Sequence, residues 1–147
     1  MRISILLAVL SLPALAEEFH RHHVSLLLAA GHGTETSAVI GGDYAYRFNR
    51  YVGAAFTFEH TGHELREAVG VGSLTIHPWK QLWIGVGPGW ESRPDEPTRK
   101  LLRLGGGYAF PLGHGVTLGP DLAVDFLGHD RVYVVGVALG IGFHPVE

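Results

Sequence analysis

Residues 116–143 read VTLGPDLAVDFLGHDRVYVVGVALGIGF. Large apolar residues occupy every second position on both sides of the Gly128-His129-Asp130 turn, and mostly glycine, alanine or aspartate stands between them. A period of two predicts two antiparallel β-strands joined by a tight turn. The apolar face is uninterrupted, whereas the other face mixes small residues with Asp121 and Asp125. A packed sandwich would show the reverse, with its richly charged face in water. We therefore expect apolar surroundings outside the sheet.

The same alternation recurs along the chain in eight segments of roughly ten residues. We predict strands at 23–31, 37–48, 52–60, 67–77, 81–90, 101–110, 116–127 and 131–143. The connections after the second, fourth and sixth segments are tight, whereas those at 59–66 and 91–100 are longer and charged. Short turns on one side and longer loops on the other are typical of outer-membrane barrels, in which the short turns are periplasmic.

Aromatic residues of the apolar face group near the two ends of the segments. The predicted periplasmic group is Tyr44, Tyr46, Phe48, Tyr108, Phe110 and Phe143, and the predicted outer group is Phe56, Phe58, Trp90, Phe126 and Tyr133. Two aromatic girdles around an aliphatic band match the two interfaces of a bilayer. The sequence thus predicts an all-β protein, an eight-stranded antiparallel up-and-down transmembrane β-barrel over residues 17–147.

The first sixteen residues predict a secretory signal peptide. A Met-Arg start precedes the apolar run 3–12, and the segment ends in Ala14-Leu15-Ala16. That order of charge, apolar run and small-residue site is the signature of a signal peptide, and the run is too short for a spanning helix. We expect export by the Sec route, cleavage after Ala16 and a domain at 17–147.

Composition excludes two other classes of protein. The chain has no cysteine, so no disulfide stabilises it. Without Arg2, ten lysine and arginine residues remain against fourteen aspartate and glutamate residues, a net charge of −4. Such a chain lacks the basic footprint of a nucleic-acid-binding protein.

Charged residues on the second face define a candidate site inside the barrel. The predicted lumen charge network comprises Asp43, Arg47, Glu59, Arg103, Asp121 and Asp125. These residues could line an ion path, or they could form a structural plug of paired charges. The interior of an eight-stranded barrel is just wide enough for side chains to fill, and this favours the plug.

Parity of the two faces gives expected strand registers. Pairing Phe110 with Val116 places Arg103 opposite Ala123, diagonally between Asp121 and Asp125. Pairing Ile76 with Leu82 places Thr75 opposite Trp83. Parity also requires a three-residue loop or a bulge at Asn49-Arg50, because a two-residue loop would pair outward Phe48 with inward Tyr51.

Neither a metal site nor a catalytic site is predicted with a recognisable spacing. The weak metal candidates are His20, His22 and His23, since imidazole binds Zn, Cu and Ni, but no Cys, Asp or Glu completes a ligand set. The least implausible catalytic cluster is Thr61 with His60 and His63. No nucleophile–base pair is apparent, so we expect no catalytic residue and no cofactor. The alternatives are a lipid-modifying barrel enzyme and a secreted lipocalin-like ligand binder, which would need an apolar interior.

The mature chain resembles the small outer-membrane barrels of the OmpA, OmpX and opacity-protein kind. The resemblance covers nearly all of it and is strongest in residues 136–143, Gly-Val-Ala-Leu-Gly-Ile-Gly-Phe. This segment is similar to the C-terminal signal read by the barrel-assembly machinery, with Ile141 and Phe143 at the hydrophobic positions. The resemblance implies a monomer in the outer membrane of a Gram-negative bacterium, surrounded by outer-membrane lipids. It also implies a non-enzymatic structural or interaction role through the outer loops.

Overall fold

The computed structural model describes residues 20–62 and 66–143. The strands are β1 (His22–His32), β2 (Thr36–Arg47), β3 (Val52–Thr61), β4 (Ala68–Ile76), β5 (Leu82–Ser92), β6 (Arg99–Tyr108), β7 (Phe110–Gly113), β8 (Val116–Leu127) and β9 (Asp130–Phe143). Within these ranges, no helix has the length and hydropathy needed to cross a membrane. The predicted signal peptide lies outside the described residues.

The strands form one closed antiparallel sheet. Consecutive strands pair from β1 through β6, and β9 pairs with β1. Strand β8 pairs with β9 on one side and with β6 and β7 on the other. Strands β6 and β7 pair with successive parts of the same edge of β8, so together they count as one strand of the barrel. The result is an eight-stranded up-and-down barrel, so the predicted fold is confirmed.

The two ends of the barrel carry different connections. We call the end with the β2–β3, β4–β5 and β7–β8 connections the turn end, and the opposite end the loop end. His22 and Phe143 pair at the turn end, so both described termini lie there. The turn end is the end that the sequence pattern predicted to be periplasmic.

Two of the predicted registers are wrong by two residues. Ile76 pairs with Ile84 instead of Leu82. Beyond Ile76 the chain follows β3 for one more residue, since the backbone N–H of His77 donates to the Tyr51 carbonyl at 2.8 Å. Leu82 therefore starts β5 beyond the end of β4 and pairs only with Tyr108 on its other side.

The second error concerns the β7–β8 turn. Phe110 pairs with Leu118 instead of Val116, and a bulge between Pro111 and Gly113 takes up the difference. The connection is only two residues long, with φ of 54° at His114 and 77° at Gly115. Positive φ at both central residues is the requirement of a type I′ hairpin, and glycine adopts it without a steric penalty. The tighter turn moves every β6–β8 pair by two residues.

The three-residue loop predicted after β2 is confirmed. The Phe48 N–H donates to the Val52 carbonyl at 3.0 Å, which leaves 49–51 as the loop. The Asn49 side-chain oxygen accepts hydrogen bonds from the N–H groups of Tyr51 and Val52, at 2.8 and 2.9 Å. A side chain thus satisfies the turn backbone, as asparagine commonly does.

The outer surface of the barrel is apolar and its interior is polar. Leu122, Val135 and Leu139 are about half exposed on the outside, whereas Glu59, Arg103 and Asp125 are buried inside. A lipocalin-like binder needs the reverse distribution, so that alternative is wrong. In water such an exterior would form one large apolar patch, which soluble monomers rarely show.

Aromatic side chains pack together at the turn end. The His22 ring stacks on Phe143 with centroids 5.4 Å apart, contacts the edge of Tyr46 at 5.1 Å, and its Nδ1 lies 2.7 Å from the Tyr44 hydroxyl. One predicted assignment to a girdle is wrong, because Tyr44 lies directly opposite Phe56 on β3. Those two rings therefore sit at similar depths and do not belong to opposite interfaces.

Candidate functional site: the barrel interior

An arginine lies between two carboxylates in the middle of the lumen. Arg103 on β6 donates through Nε and Nη2 to the two Asp125 oxygens, both at 2.6 Å. Its Nη1 and Nη2 also donate to the Glu59 oxygens, the latter at 2.8 Å. All three side chains are buried. Bidentate pairing with two carboxylates satisfies the guanidinium donors, which makes burial of these charges tolerable.

The partners of Arg103 differ from those expected from the sequence. Asp125 lies directly opposite Arg103 across the β6–β8 ladder, and Glu59 reaches it from β3. Asp121 instead lies opposite Gly107, and no ion pair within the described part of the chain involves it. The tight β7–β8 turn explains the change, because a shift by two residues replaces Ala123 with Asp125 as the neighbour of Arg103. We call Glu59, Arg103 and Asp125 the central triad.

An apolar cluster packs inside the barrel beside the central triad. Val69, Val71, Leu101 and Leu127 form it, and Val132 packs against it. Leu101 and Leu127 lie two residues from Arg103 and Asp125 on the loop-end side, and Val69 lies opposite Glu59. Val71 is 1% exposed.

A second set of ion pairs lies at the loop end. Arg99 Nη2 lies 2.8 Å from Glu91, and Arg93 lies 3.3 Å from Glu91 and 3.0 Å from Glu67. Arg99 also lies 3.5 Å from Asp130. Burial, and then the neighbouring Glu91, raises the pKa of the Glu67 carboxyl to about 7, against the opposing effect of Arg93.

This outer cluster was not predicted, because residues 91–100 were expected to form a loop. In the structure β5 extends to Ser92 and β6 begins at Arg99, so Glu91 and Arg99 form a directly opposed pair at the end of the hairpin. Opposite charges at cross-strand positions stabilise a ladder. The signal was present in the sequence, since Glu91 and Arg99 both continue the inward parity of their strands.

On the turn-end side of the triad, the lumen opens into a cavity of about 620 Å³. It extends from Glu59 and Arg103 to turn residues such as Lys80 and Gly115. The expectation that side chains would fill the whole interior is therefore wrong for this half. We call this space the turn-end cavity.

The remaining residues of the predicted charge network line the turn-end cavity. Asp43 accepts a hydrogen bond from the Ser25 hydroxyl at 2.5 Å, and Asp121 lies nearby on β8. Arg47 Nη2 lies 2.8 Å from His77 Nδ1 and donates to the Lys80 carbonyl at 3.2 Å, near the cavity mouth. The six predicted residues thus separate into the central triad and a second group, Asp43, Arg47 and Asp121, that lines the turn-end cavity.

Glycines make room for the large inward side chains of this half. A Cβ atom on Gly107 would lie 2.6 Å from Trp83 Nε1, and one on Gly140 would lie 2.3 Å from His23 Cε1. Both positions need glycine because a side chain would collide with a ring. Gly107 therefore makes room for Trp83, and Gly140 makes room for His23.

The structure separates the three histidines proposed as weak metal ligands. His20 and His23 line the turn-end cavity, whereas His22 packs outside against aromatic rings. Adjacent strand residues point to opposite faces, so His22 and His23 cannot bind one ion together. His23 Nε2 instead lies 3.1 Å from the Thr117 hydroxyl. Among residues 20–62 and 66–143, no group of three or more potential ligands is placed to hold a metal.

The candidate catalytic cluster is also not assembled. Thr61 is buried on the inward face of β3, whereas the preceding residue, His60, is exposed on the outer face. His63 lies outside the described residues. Alternation along a strand again separates neighbours in sequence, so Thr61 and His60 do not form a nucleophile–base pair.

The turn histidine His77 gives the barrel a predicted pH dependence. Burial, and then the charge of Arg47, lowers the pKa of His77 from 6.5 to about 4. Between these values the unfolded chain binds a proton that the folded barrel does not, so His77 makes stability fall as the pH drops from about 6.5 to about 4. Urea unfolding at several pH values should show a shallower fall in His77→Gln than in the parent. The control His114→Asn alters an exposed histidine at the same end and should keep the parental slope, whereas equal slopes in all three proteins would contradict the assignment.

The architecture and the charged lumen together define a class of fold. This chain has the fold of the small eight-stranded outer-membrane β-barrels. It is similar to the N-terminal β-barrel domain of Pseudomonas aeruginosa OprF, with a TM-score of 0.68 and 12% identity over 85% of this chain and 100% of that one.

Two further solved structures show the same architecture. Neisserial surface protein A gives a TM-score of 0.62 at 10% identity, over 83% of this chain and 96% of that one. The outer membrane protein OprG from Pseudomonas aeruginosa gives 0.63 at 9% identity, over 84% and 97%. No protein-family model matches the chain, and no curated protein sequence matches it either.

Proposed function

We propose that this protein is a non-enzymatic integral barrel of the Gram-negative outer membrane, closed to ions, whose outer loops serve a structural or interaction role. The observation that carries the proposal is the division of chemistry between the two faces. Leu26, Leu122 and Leu139 lie in the middle of an apolar exterior, while the buried ion pairs are inside. Only an apolar solvent makes such an exterior favourable.

The closed interior is supported by two groups of inward side chains. The central triad joins β3, β6 and β8 across the lumen. On β6, Leu101 of the apolar cluster lies between Arg103 of the triad and Arg99 of the outer ion pairs. An ion would have to pass the apolar cluster and displace a paired arginine, and both steps are costly.

Assembly in the membrane is the second part of the proposal. The mature chain would reach the periplasm through the Sec route and insert as a monomer with the help of the barrel-assembly machinery. The final strand β9, which ends at Phe143, pairs with β1 to close the barrel. A terminal strand that also closes the sheet suits recognition by a machine that inserts barrels, because closure removes the last free edge.

Cell fractionation tests the location. We expect the mature protein to begin at Glu17, to sediment with outer membranes and to resist extraction by salt. It should also migrate differently on detergent gels with and without boiling, because a closed barrel has no free edge from which unfolding begins. Recovery from the soluble periplasm with a single gel mobility would overturn the proposal.

Planar-bilayer recording tests the closed interior. The wild-type barrel should show no steady conductance, since the triad and the apolar cluster block the lumen. Arg103→Ala together with Leu101→Gly removes the central cation and part of the apolar cluster, and it should admit ions if it folds. Large stable channels in the wild-type protein would exclude the plug and favour a transport function.

A further inference from the structure

The outward face of the described strands carries two permanently charged side chains, and both are cations at the loop end. Lys100 stands near the start of β6, and Arg131 near the start of β9. Their strand partners Trp90 and Phe126 are exposed aromatic residues of the apolar exterior, which places both cations on that face. The remaining outward strand positions in the described ranges are apolar, small, hydroxyl-bearing or histidine.

The two cations flank one aromatic ring. Phe126 on β8 lies opposite Leu102 on β6 and opposite Arg131 on β9. The Arg131 guanidinium carbon is 5.7 Å from the centre of the Phe126 ring. Lys100 is two residues from Leu102, so it is the diagonal neighbour of Phe126. Two strand spacings and an offset of two residues along the strands separate the Cα atoms of the two cations, roughly 12 Å.

Carboxylates at this end of the strands point the other way. Glu59, Glu91, Asp125 and Asp130 bind Arg103 or Arg99 on the lumen side. No ion pair in the described ranges includes Lys100 or Arg131. Within the described strands, the outward face at this point therefore carries positive charge and no carboxylate.

The two cations lie next to the apolar outer surface of the barrel. A ligand that matches this arrangement has both an anionic group and an apolar part. The methylene stems of lysine and arginine can lie along apolar surface while their charged heads reach the headgroup level. A lipid offers acyl chains to Leu102 and Leu104 and places an anionic headgroup beside the two cations. A soluble anion would bind the cations but would make no contact with the apolar surface around Leu102 and Leu104.

We infer that Lys100 and Arg131, with Trp90 and Phe126, form a binding site for the phosphate of an outer-leaflet glycolipid. The inference rests on the proposed function, which places the loop end in the outer leaflet. In a Gram-negative outer membrane, the anionic lipid of that leaflet is a phosphorylated glycolipid. Arginine and lysine together suit this ligand, because a fork of donors and a mobile point charge can reach oxygens of the same phosphate group.

Native mass spectrometry of the refolded full-length mature chain tests the site. The probes are diphosphorylated lipid A, the same lipid without its phosphates, and phosphatidylglycerol. We expect the wild-type barrel to retain diphosphorylated lipid A and to bind the other two lipids much more weakly. The double variant Lys100→Gln with Arg131→Gln should lose about 30-fold in affinity, as expected for two cations near a headgroup.

A matched control removes two cations from the turn end. Arg50→Gln with Lys80→Gln changes the net charge equally and should bind diphosphorylated lipid A as the wild type does. Equal binding of lipid A with and without phosphates, or equal loss in both double variants, would overturn the site. Equal binding of phosphatidylglycerol would overturn the choice of glycolipid. All proteins are first checked for the gel shift on boiling, so a wild-type chain that never forms a barrel overturns the proposed function itself.

Discussion

Replacing Arg103 with alanine should destabilise the barrel by about 3–5 kcal/mol, the cost of breaking a buried ion pair from one side. The physical reason is that Glu59 and Asp125 would then face each other without a cation in a dehydrated interior. The free energy of unfolding, measured by urea titration in lipid vesicles, is the appropriate readout. A variant as stable as the parent would exclude the central triad as a structural element.

A double-mutant cycle separates the triad from the arrangement expected from sequence alone. Asp125→Asn or Glu59→Gln should recover part of the loss in the Arg103→Ala background, because each removes one of the two facing charges. Asp121→Asn is the matched control, since it removes a carboxylate from the same strand outside the triad. Rescue by Asp121→Asn and none by Asp125→Asn would restore the register that the sequence suggested.

The second large effect is expected on the outside of the barrel. Leu122→Arg places a charge on the outward face in the middle of β8, where a cation facing lipid costs about 2–4 kcal/mol. Leu122 is 53% exposed in the isolated barrel, and its partners Gly106 and Val135 give the cation no counter-charge. Refolding yield and unfolding free energy in vesicles should both fall.

The adjacent residue supplies the control. Ala123 is buried and inward, opposite Gly105, so Ala123→Ser places a hydroxyl in the polar lumen and should change stability little. If the exterior of the barrel faced water, Leu122→Arg would not be the more damaging of the two variants, because a charge on a water-exposed surface is favourable. Equal tolerance of both variants in vesicles would show that the exterior of β8 does not face lipid.

Strand identity and facing were predictable because they follow from a period of two. The alternation around Leu122 and Ala123 assigned each residue to its face, and the structure agrees. The predicted loop at 49–51 also followed from parity. These features depend on neighbours in the chain, and the sequence contains them in full.

The position of each side chain along the barrel axis and its partner on the neighbouring strand were less predictable, because both depend on turn geometry. The two-residue turn at His114-Gly115, together with the bulge between Pro111 and Gly113, changed the neighbour of Arg103 by two residues. Parity cannot detect a shift of two, since it leaves every side chain on the same face. Tyr44 and Phe56 were assigned to different interfaces, although the three-residue loop at 49–51 already places them opposite each other.

The sequence by itself determined that this protein is a barrel with an apolar exterior and a charged interior, since alternation of residue types specifies the two faces. Only the tertiary structure decided which charges meet. Glu59 reaches Arg103 from a strand that does not pair with β6, because closure of the sheet brings non-adjacent strands across a narrow lumen. Closure also placed Lys100 and Arg131 on either side of Phe126, although 31 positions separate them in the chain. Contacts across a closed sheet depend on the registers of all the strand pairs between the two residues. Each turn sets one of these registers, and local sequence patterns do not specify their combined effect.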